Sequence, residues 1–158
     1  MFKVLLVDDE PFVREGIKAL IPWEEYGYML CGEAENGEEA LHMTKKQVPH
    51  VVITDIKMPV FDGLELIKRV RDEIQEPVKF IILSGYNEFK FAQTAMQYDV
   101  KNYILKPIDE EDFVQTLKNV RTEIEEELKL KNEYELGLRA MTSHVIQKLV
   151  RGENGKDV

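Results

Sequence analysis

Short apolar runs rich in Val and Ile recur along the chain at Val4–Val7, Met29–Cys31, Val51–Thr54, Phe80–Leu83 and Tyr103–Leu105. Each is nearly continuous rather than alternating, the pattern of strands covered on both faces in a parallel sheet. Between the runs the rhythm changes to spacings of three and four: Val13, Ile17, Leu20; Ala40, Leu41, Thr44; Leu64, Ile67, Val70, Ile74; and Phe91, Ala92, Ala95, Met96. That period predicts helices with one stripe facing a core. Five strands alternating with helices predict an α/β domain, a doubly wound five-stranded parallel sheet over residues 1–122.

The rest of the chain is patterned differently. From Asp109 onward there is no Pro and only late Gly, with dense Glu, Lys and Leu, so the fifth helix is expected to run past the domain as an extended C-terminal helix. Phe113, Leu117, Val120 and Ile124 follow a 4-3-4 spacing, and Tyr134, Leu138, Met141 and Val145 repeat it in the same heptad register, with polar Glu127 and Lys131 between. Phe113, Leu117 and Val120 are expected to pack on the sheet. With a rise of ~1.5 Å per residue, Tyr134 to Val145 lie too far along to reach the same core. They require a second copy of this helix or a domain absent from this chain. Residues 123–158 therefore read as a helical linker leading away from the domain. Gly137 costs ~1 kcal/mol in a helix interior and is the expected place for a break.

Composition narrows the function classes. In 158 residues there are 30 acids against 21 bases, net -9, and one cysteine. No apolar run approaches ~20 residues, so no membrane span is expected. The start, MFKVLLVDDE, is neither a signal nor a transit peptide, and the expected location is cytoplasmic. Cys31 has no internal partner and reads as a small buried residue. The acidic balance argues against direct nucleic-acid binding, which needs clustered Lys and Arg. The acids are not spread evenly: residues 1–108 carry net -5, 109–136 net -6 and 137–158 net +2, so the helical segment's acids read as a solvated face. His42, His50 and His144 lack metal-ligand spacing. Neither G-x-x-x-x-G-K-[ST] nor G-x-G-x-x-G occurs.

The chemistry lies in where the acids fall. Asp8 and Asp9 follow the first run and Asp55 follows the third. In a flavodoxin-like strand order, 2-1-3-4-5, those strands are neighbours, and the crevice at their carboxyl ends is where such sheets bind ligands. Three bare carboxylates there would repel, whereas a hard divalent cation with oxygen ligands removes the conflict, and Mg²⁺ takes one or two carboxylates, a carbonyl, waters and a phosphate oxygen. Lys106, at the end of the fifth run, brings a positive charge to the same crevice. Asp62, before Gly63, reads as a turn and helix cap, and Glu10 as an outer neighbour of the acids at best.

VLLVDDEP, VVITDIKMPVFDGLE, IILSGY and NYILKP, in that order and spacing, resemble a response-regulator receiver domain over residues 1–122. IPWEEYGY and LSGYNEFKFAQTAM are similar to receivers of the YesN type with AraC-type DNA-binding outputs. The resemblance implies a phosphorylation switch rather than an enzyme: Asp55 takes a phosphoryl group from a sensor histidine kinase, and Asp8, Asp9 and Asp55, with the Lys57 backbone carbonyl, bind Mg²⁺. Lys106 stabilises the phosphoryl oxygens. Ser84 and Tyr103 are the implied switch pair, acting on the surface of the fourth helix, fifth strand and fifth helix, and Lys106–Pro107 is an implied cis peptide. Trp23 and Tyr26 read as packing residues of a family-specific loop. A homodimer is expected through the extended helix or that switch surface, and DNA binding only through an output domain absent from this chain. Lys57 and Tyr86, two residues beyond Asp55 and Ser84, are large and offer no carboxylate or amide to orient water, which predicts slow self-dephosphorylation. Two alternatives remain: a receiver-like interaction module that is not phosphorylated, and an aspartyl-phosphate phosphatase of the haloacid-dehalogenase type. The second needs an Asp two positions after the nucleophile, where this chain has Lys57.

Overall fold

The five apolar runs become five parallel strands in a computed structural model of the chain: β1 (Phe2–Val7), β2 (Tyr28–Ala34), β3 (Val51–Asp55), β4 (Lys79–Ser84) and β5 (Asn102–Leu105), in the order β2-β1-β3-β4-β5. The helices are α1 (Pro11–Leu20), α2 (Gly37–Gln47), α3 (Gly63–Glu73), α4 (Phe89–Met96) and α5 (Glu110–Gly155), with a short 3-10 turn at Trp23–Tyr26. The structure describes residues 1–85 and 89–155, the side chains at 89, 92 and 151–155 excepted. The chain divides into two compact units, Met1–Arg121 and Thr122–Val158.

In the first unit β3 is buried along its whole length and β1 and β4 nearly so, as continuous apolar runs require. The edge strands depart from that expectation. In β2 only Tyr28 and Ala34 are buried, and in β5 only Ile104, because helices cover a sheet's margins less completely than its centre. β2 also continues beyond the Met29–Cys31 run to Ala34, since β1 offers hydrogen-bonding partners out to Val7. The register slips between Val4, opposite Leu30, and Leu5, opposite Gly32. Cys31 is thus the bulged residue and is half-buried rather than buried.

Local signals set the helix starts. Pro11 opens α1. Asn36 caps α2 by accepting from the Glu39 N–H at 2.8 Å, and Asp62 caps α3 by accepting from the Glu65 N–H at 2.9 Å, as its place before Gly63 predicted. Ile17, Ala40, Leu41, Thr44, Ile67, Val70 and Ala95 face the core as their spacing indicated. Met96 does not: it ends α4, is 57% exposed, and Val100 fills the core position after the chain turns through Asp99 at φ 63°.

Phe113, Leu117 and Val120 on α5 are fully buried. The 3-10 turn packs against them and their neighbours. Trp23 meets Phe113 edge-on at 5.6 Å and donates its indole N–H to the Lys18 carbonyl at 3.1 Å. The buried Tyr28 hydroxyl donates to the Leu117 carbonyl at 2.6 Å, Lys118 lies 5.9 Å from the Tyr26 ring, and Arg121 donates to the Tyr26 carbonyl at 3.1 Å. Gly27 has φ 84°, and a Cβ there would sit 2.8 Å from the Arg121 guanidinium, so both backbone and packing require glycine. The packing role expected of Trp23 and Tyr26 is what the contacts show.

The described residues of the second unit, 122–155, are helical. No break occurs at Gly137, because the residues around it, Leu136, Leu138, Arg139 and Ala140, are strong helix formers that outweigh one glycine. Tyr134, Leu138, Met141 and Val145 are all exposed. Among the described residues no helix is long and apolar enough to cross a membrane.

Candidate functional site

The carboxyl ends of β1 and β3 lie side by side, with Val7 opposite Thr54, so the residues that follow them share one crevice. Asp8 and Asp9 leave β1, and Asp55 is the last residue of β3. One carboxylate oxygen from each lies within 4.8 Å of the others, with Asp8 and Asp55 buried and Asp9 exposed. Lys106, just beyond β5, donates from Nζ to Asp55 Oδ2 at 2.9 Å and stands 4.0 Å from Asp8 Oδ2. The Lys106 N–H donates to the Ser84 carbonyl at 2.7 Å, tying the lysine to the end of β4, and Lys106–Pro107 is cis.

Each acid is held by its own backbone surroundings. Asp8 Oδ1 accepts the Glu10 N–H at 2.9 Å, and Asp55 Oδ1 accepts the Ile56 N–H at 2.7 Å. Asp8 Oδ2 is buried without a hydrogen-bond partner among the described residues. Burial pushes the Asp8 carboxyl above its ordinary value; the Glu10 N–H and Lys106 oppose this, and Asp55 and Asp9 add to it. An orphaned anionic oxygen beside two further carboxylates is an all-oxygen donor set, and it fits a hard divalent cation.

Ser84 is fully buried, and its hydroxyl donates to the Gly85 carbonyl at 3.1 Å. Tyr103, opposite Ile82, is half-buried against the core. Lys57, the second residue of the β3–α3 loop, is exposed. Tyr86, its expected companion in tuning hydrolysis, lies outside the described residues. Glu10 is exposed, and its N–H donates to Asp8. His50 is occupied structurally, its Nδ1 accepting the Lys3 N–H at 3.0 Å.

Several residues at the site carry no sequence motif of their own. Thr54, fully buried, donates its hydroxyl to the Asp55 carbonyl at 2.8 Å. Gly63 opens α3 so close to β3 that a Cβ would lie 2.4 Å from the Asp55 carbonyl oxygen, while its N–H donates to Ile56 at 2.6 Å. Arg14, on α1, donates to the Asp8 carbonyl at 2.5 Å and to Glu33 on β2 at 3.1 Å. The Asp-Gly pair hinted at a tight turn around Gly63; for Thr54 and Arg14 no residue pattern pointed to the site.

A five-stranded parallel sheet in this order with acids at the ends of β1 and β3 defines a class, and residues 4–118 match the response regulator receiver domain. The chain belongs to that family. It is similar to the uncharacterized transcriptional regulatory protein YesN of Bacillus subtilis (strain 168), 46% identical over 124 residues, 78% of this chain and 33% of that protein. It is also similar to the transcriptional regulatory protein HptR of Staphylococcus aureus (strain NCTC 8325 / PS 47), 40% identical over 109 residues, 69% of this chain and 42% of that protein. Among solved structures, the receiver domain of the response regulator AraT from Geobacillus stearothermophilus superposes with a TM-score of 0.76 at 38% identity, over 80% of this chain and 98% of that one. A two-component transcriptional regulator AraC from Clostridium phytofermentans ISDg gives 0.71 at 30% identity, over 77% of this chain and 94% of that one. The chain thus spans about a third to two fifths of the curated relatives it matches. Receiver domains are generally non-enzymatic switches that bind Mg²⁺ at an acidic pocket and interact with sensor histidine kinases.

Proposed function

We propose that this receiver accepts a phosphoryl group on Asp55 from a sensor histidine kinase and thereby controls a DNA-binding transcriptional output encoded beyond this chain. One observation carries the reading: Lys106 Nζ lies 2.9 Å from Asp55 Oδ2, in a crevice shared with Asp8 and Asp9. An Asp55 oxygen attacks phosphorus as the P–N bond of the kinase phosphohistidine breaks. The imidazole leaves, taking a proton from solvent, and an acyl phosphate remains. Positioning and charge neutralisation dominate such transfers. Lys106 supplies one positive charge. Asp8, Asp9, Asp55 and the Lys57 carbonyl would hold Mg²⁺, which neutralises phosphoryl oxygens when bound.

The Ser84 hydroxyl then turns from Gly85 to a phosphoryl oxygen, and Tyr103 follows toward the space it leaves. This biases the surface of α4, β5 and α5, one of two routes to a homodimer; the exposed Tyr134, Leu138, Met141 and Val145 on α5 are the other. Incubation with phosphoramidate and Mg²⁺, followed by intact mass, is expected to add one phosphoryl group to wild type and none to Asp55→Asn. Uptake by neither, or equally by both, refutes the reading. Lys57 and Tyr86 make the adduct slow to hydrolyse, and decay within seconds would count against that part.

A further inference from the structure

The carboxylates of Asp8 and Asp9 hang from the two ends of a single peptide plane, so the orientation of that plane sets both side chains together. The structure pins that plane at its carbonyl. The preceding peptide is fixed separately, the Asp8 N–H donating to the Ala34 carbonyl at 3.1 Å, at the end of β2. The Asp8 carbonyl accepts from Arg14 Nη1 at 2.5 Å. Arg14 is in turn held by Glu33, one residue before Ala34, which accepts from Arg14 Nε at 3.1 Å and from Lys18 Nζ at 2.9 Å. Those two cations hold the Glu33 carboxyl below its ordinary value, Lys18 contributing most. The Arg14 side chain is only 13% exposed.

We propose that Arg14, oriented by Glu33, is a positioning residue for divalent-cation binding at Asp8 and Asp9. This rests on the reading of the site given above. The planar fork of an arginine reaches a carbonyl and a carboxylate at once, whereas a lysine carries the same charge at one point and cannot bridge both. Charge is the lesser part of the role: the groups that displace the Asp8 carboxyl from its ordinary value are burial, the Glu10 N–H, Asp55, Lys106 and Asp9, with Arg14 not among them. Outer partners that orient metal ligands typically contribute 10–100-fold to affinity. Freed of Arg14, the Asp8–Asp9 peptide loses the hydrogen bond at its carbonyl and the acids lose their common orientation.

The test compares wild type, Arg14→Lys and Glu33→Gln in the full chain. Mg²⁺ affinity is measured by calorimetry, Mn²⁺ affinity by electron paramagnetic resonance, and fold by thermal unfolding in EDTA. Arg14→Lys is expected to weaken both cations about tenfold. Glu33→Gln, which keeps Arg14 but loosens its anchor, is expected to weaken them by a smaller factor. Phosphorylation of either variant is expected to recover toward the wild-type rate as Mg²⁺ is raised, a shift in half-saturation that a merely destabilised fold would not produce. Affinities within twofold of wild type in both variants overturn the proposal and leave the phosphorylation reading standing. A wild type that binds neither cation overturns both.

Discussion

Replacing Asp8 by Asn is expected to make the cation-free protein more stable. Asp8 is 2% exposed, its Oδ2 has no hydrogen-bond partner among the described residues, and a carboxylate oxygen of each of Asp8, Asp9 and Asp55 lies within 4.8 Å of the others. At an effective dielectric of ~20, repulsion from one carboxylate at that separation is ~3.5 kcal/mol and attraction to Lys106 at 4.0 Å is ~4 kcal/mol. Two carboxylates stand against that one cation, so the net charge interaction works in the same direction as desolvation of the orphaned oxygen, and desolvation alone, ~1–3 kcal/mol, sets the least size of the effect. An amide keeps the Oδ1 acceptor for Glu10 and removes the charge. At ~2.1 cal/mol/K per residue, the unit Met1–Arg121 loses about 4 °C of Tm per kcal/mol, so the variant should melt roughly 4–12 °C higher in EDTA at neutral pH. The pH dependence has a definite sign. With the folded carboxyl raised above 3.8, the native state holds its proton longer than the unfolded one; stability therefore falls as pH rises from 3.8 through the folded value, and the penalty is complete above it. The gap between variant and wild type should close as pH drops toward 4. Excess Mg²⁺ should raise the wild-type Tm and leave the variant's unmoved. A variant less stable than wild type in EDTA at pH 7, or a gap independent of pH, would refute this reasoning.

Four further outcomes are expected. Trp23→Ala should cost ~3–5 kcal/mol in urea unfolding followed by circular dichroism, since Trp23 is 7% exposed and packed on Phe113; a loss below about 1 kcal/mol would mean the 3-10 turn does not brace α5. Val60→Asn should stabilise by ~1 kcal/mol in the same assay, because a β-branched residue held at φ 73° is strained, and Val60 is 67% exposed, so little packing is lost. His50 is held below its ordinary value by burial, then Lys3 and the chain's amino terminus, so stability should fall as pH drops below 6.5, where the unfolded state takes up the proton first; the slope should vanish in His50→Asn, measured by chemical unfolding from pH 7.5 to 5.5. Sedimentation of the full chain should give a larger assembly than a chain ending at Arg121, and equal monomeric masses would exclude pairing through α5.

Much of the fold was legible because its central strands are buried on both faces and so have to be apolar throughout. Val4–Val7, Val51–Thr54 and Phe80–Leu83 could not be read otherwise, and they set the sheet. The margins were less legible for the same reason. β2 carries Gly32 and Glu33 because an edge strand tolerates them, and its length is set by hydrogen bonds offered by β1 rather than by its own residues. Gly137 misled in the opposite direction: a single unfavourable residue in a long run of helix formers lowers stability without ending the helix.

The candidate site divides along a similar line. Asp8, Asp9, Asp55 and Lys106 were visible because each sits at a strand end, and a parallel sheet brings all its strand ends to one side; Ser84 was visible only through the resemblance to receiver domains. Position along the chain was therefore enough to infer convergence in space. Arg14, Glu33 and Thr54 were not visible, and Gly63 only as part of a turn, because their parts depend on distances across elements: an arginine four residues into a helix looks like any solvated arginine until β2 places Glu33 beside it. Such residues bear on the site through backbone atoms, the carbonyls of Asp8 and Asp55, which every residue type possesses. A motif records which side chains do chemistry. It is silent about the contacts that hold their peptide planes, and Arg14→Lys, which preserves charge and removes only the bridge, separates those two contributions.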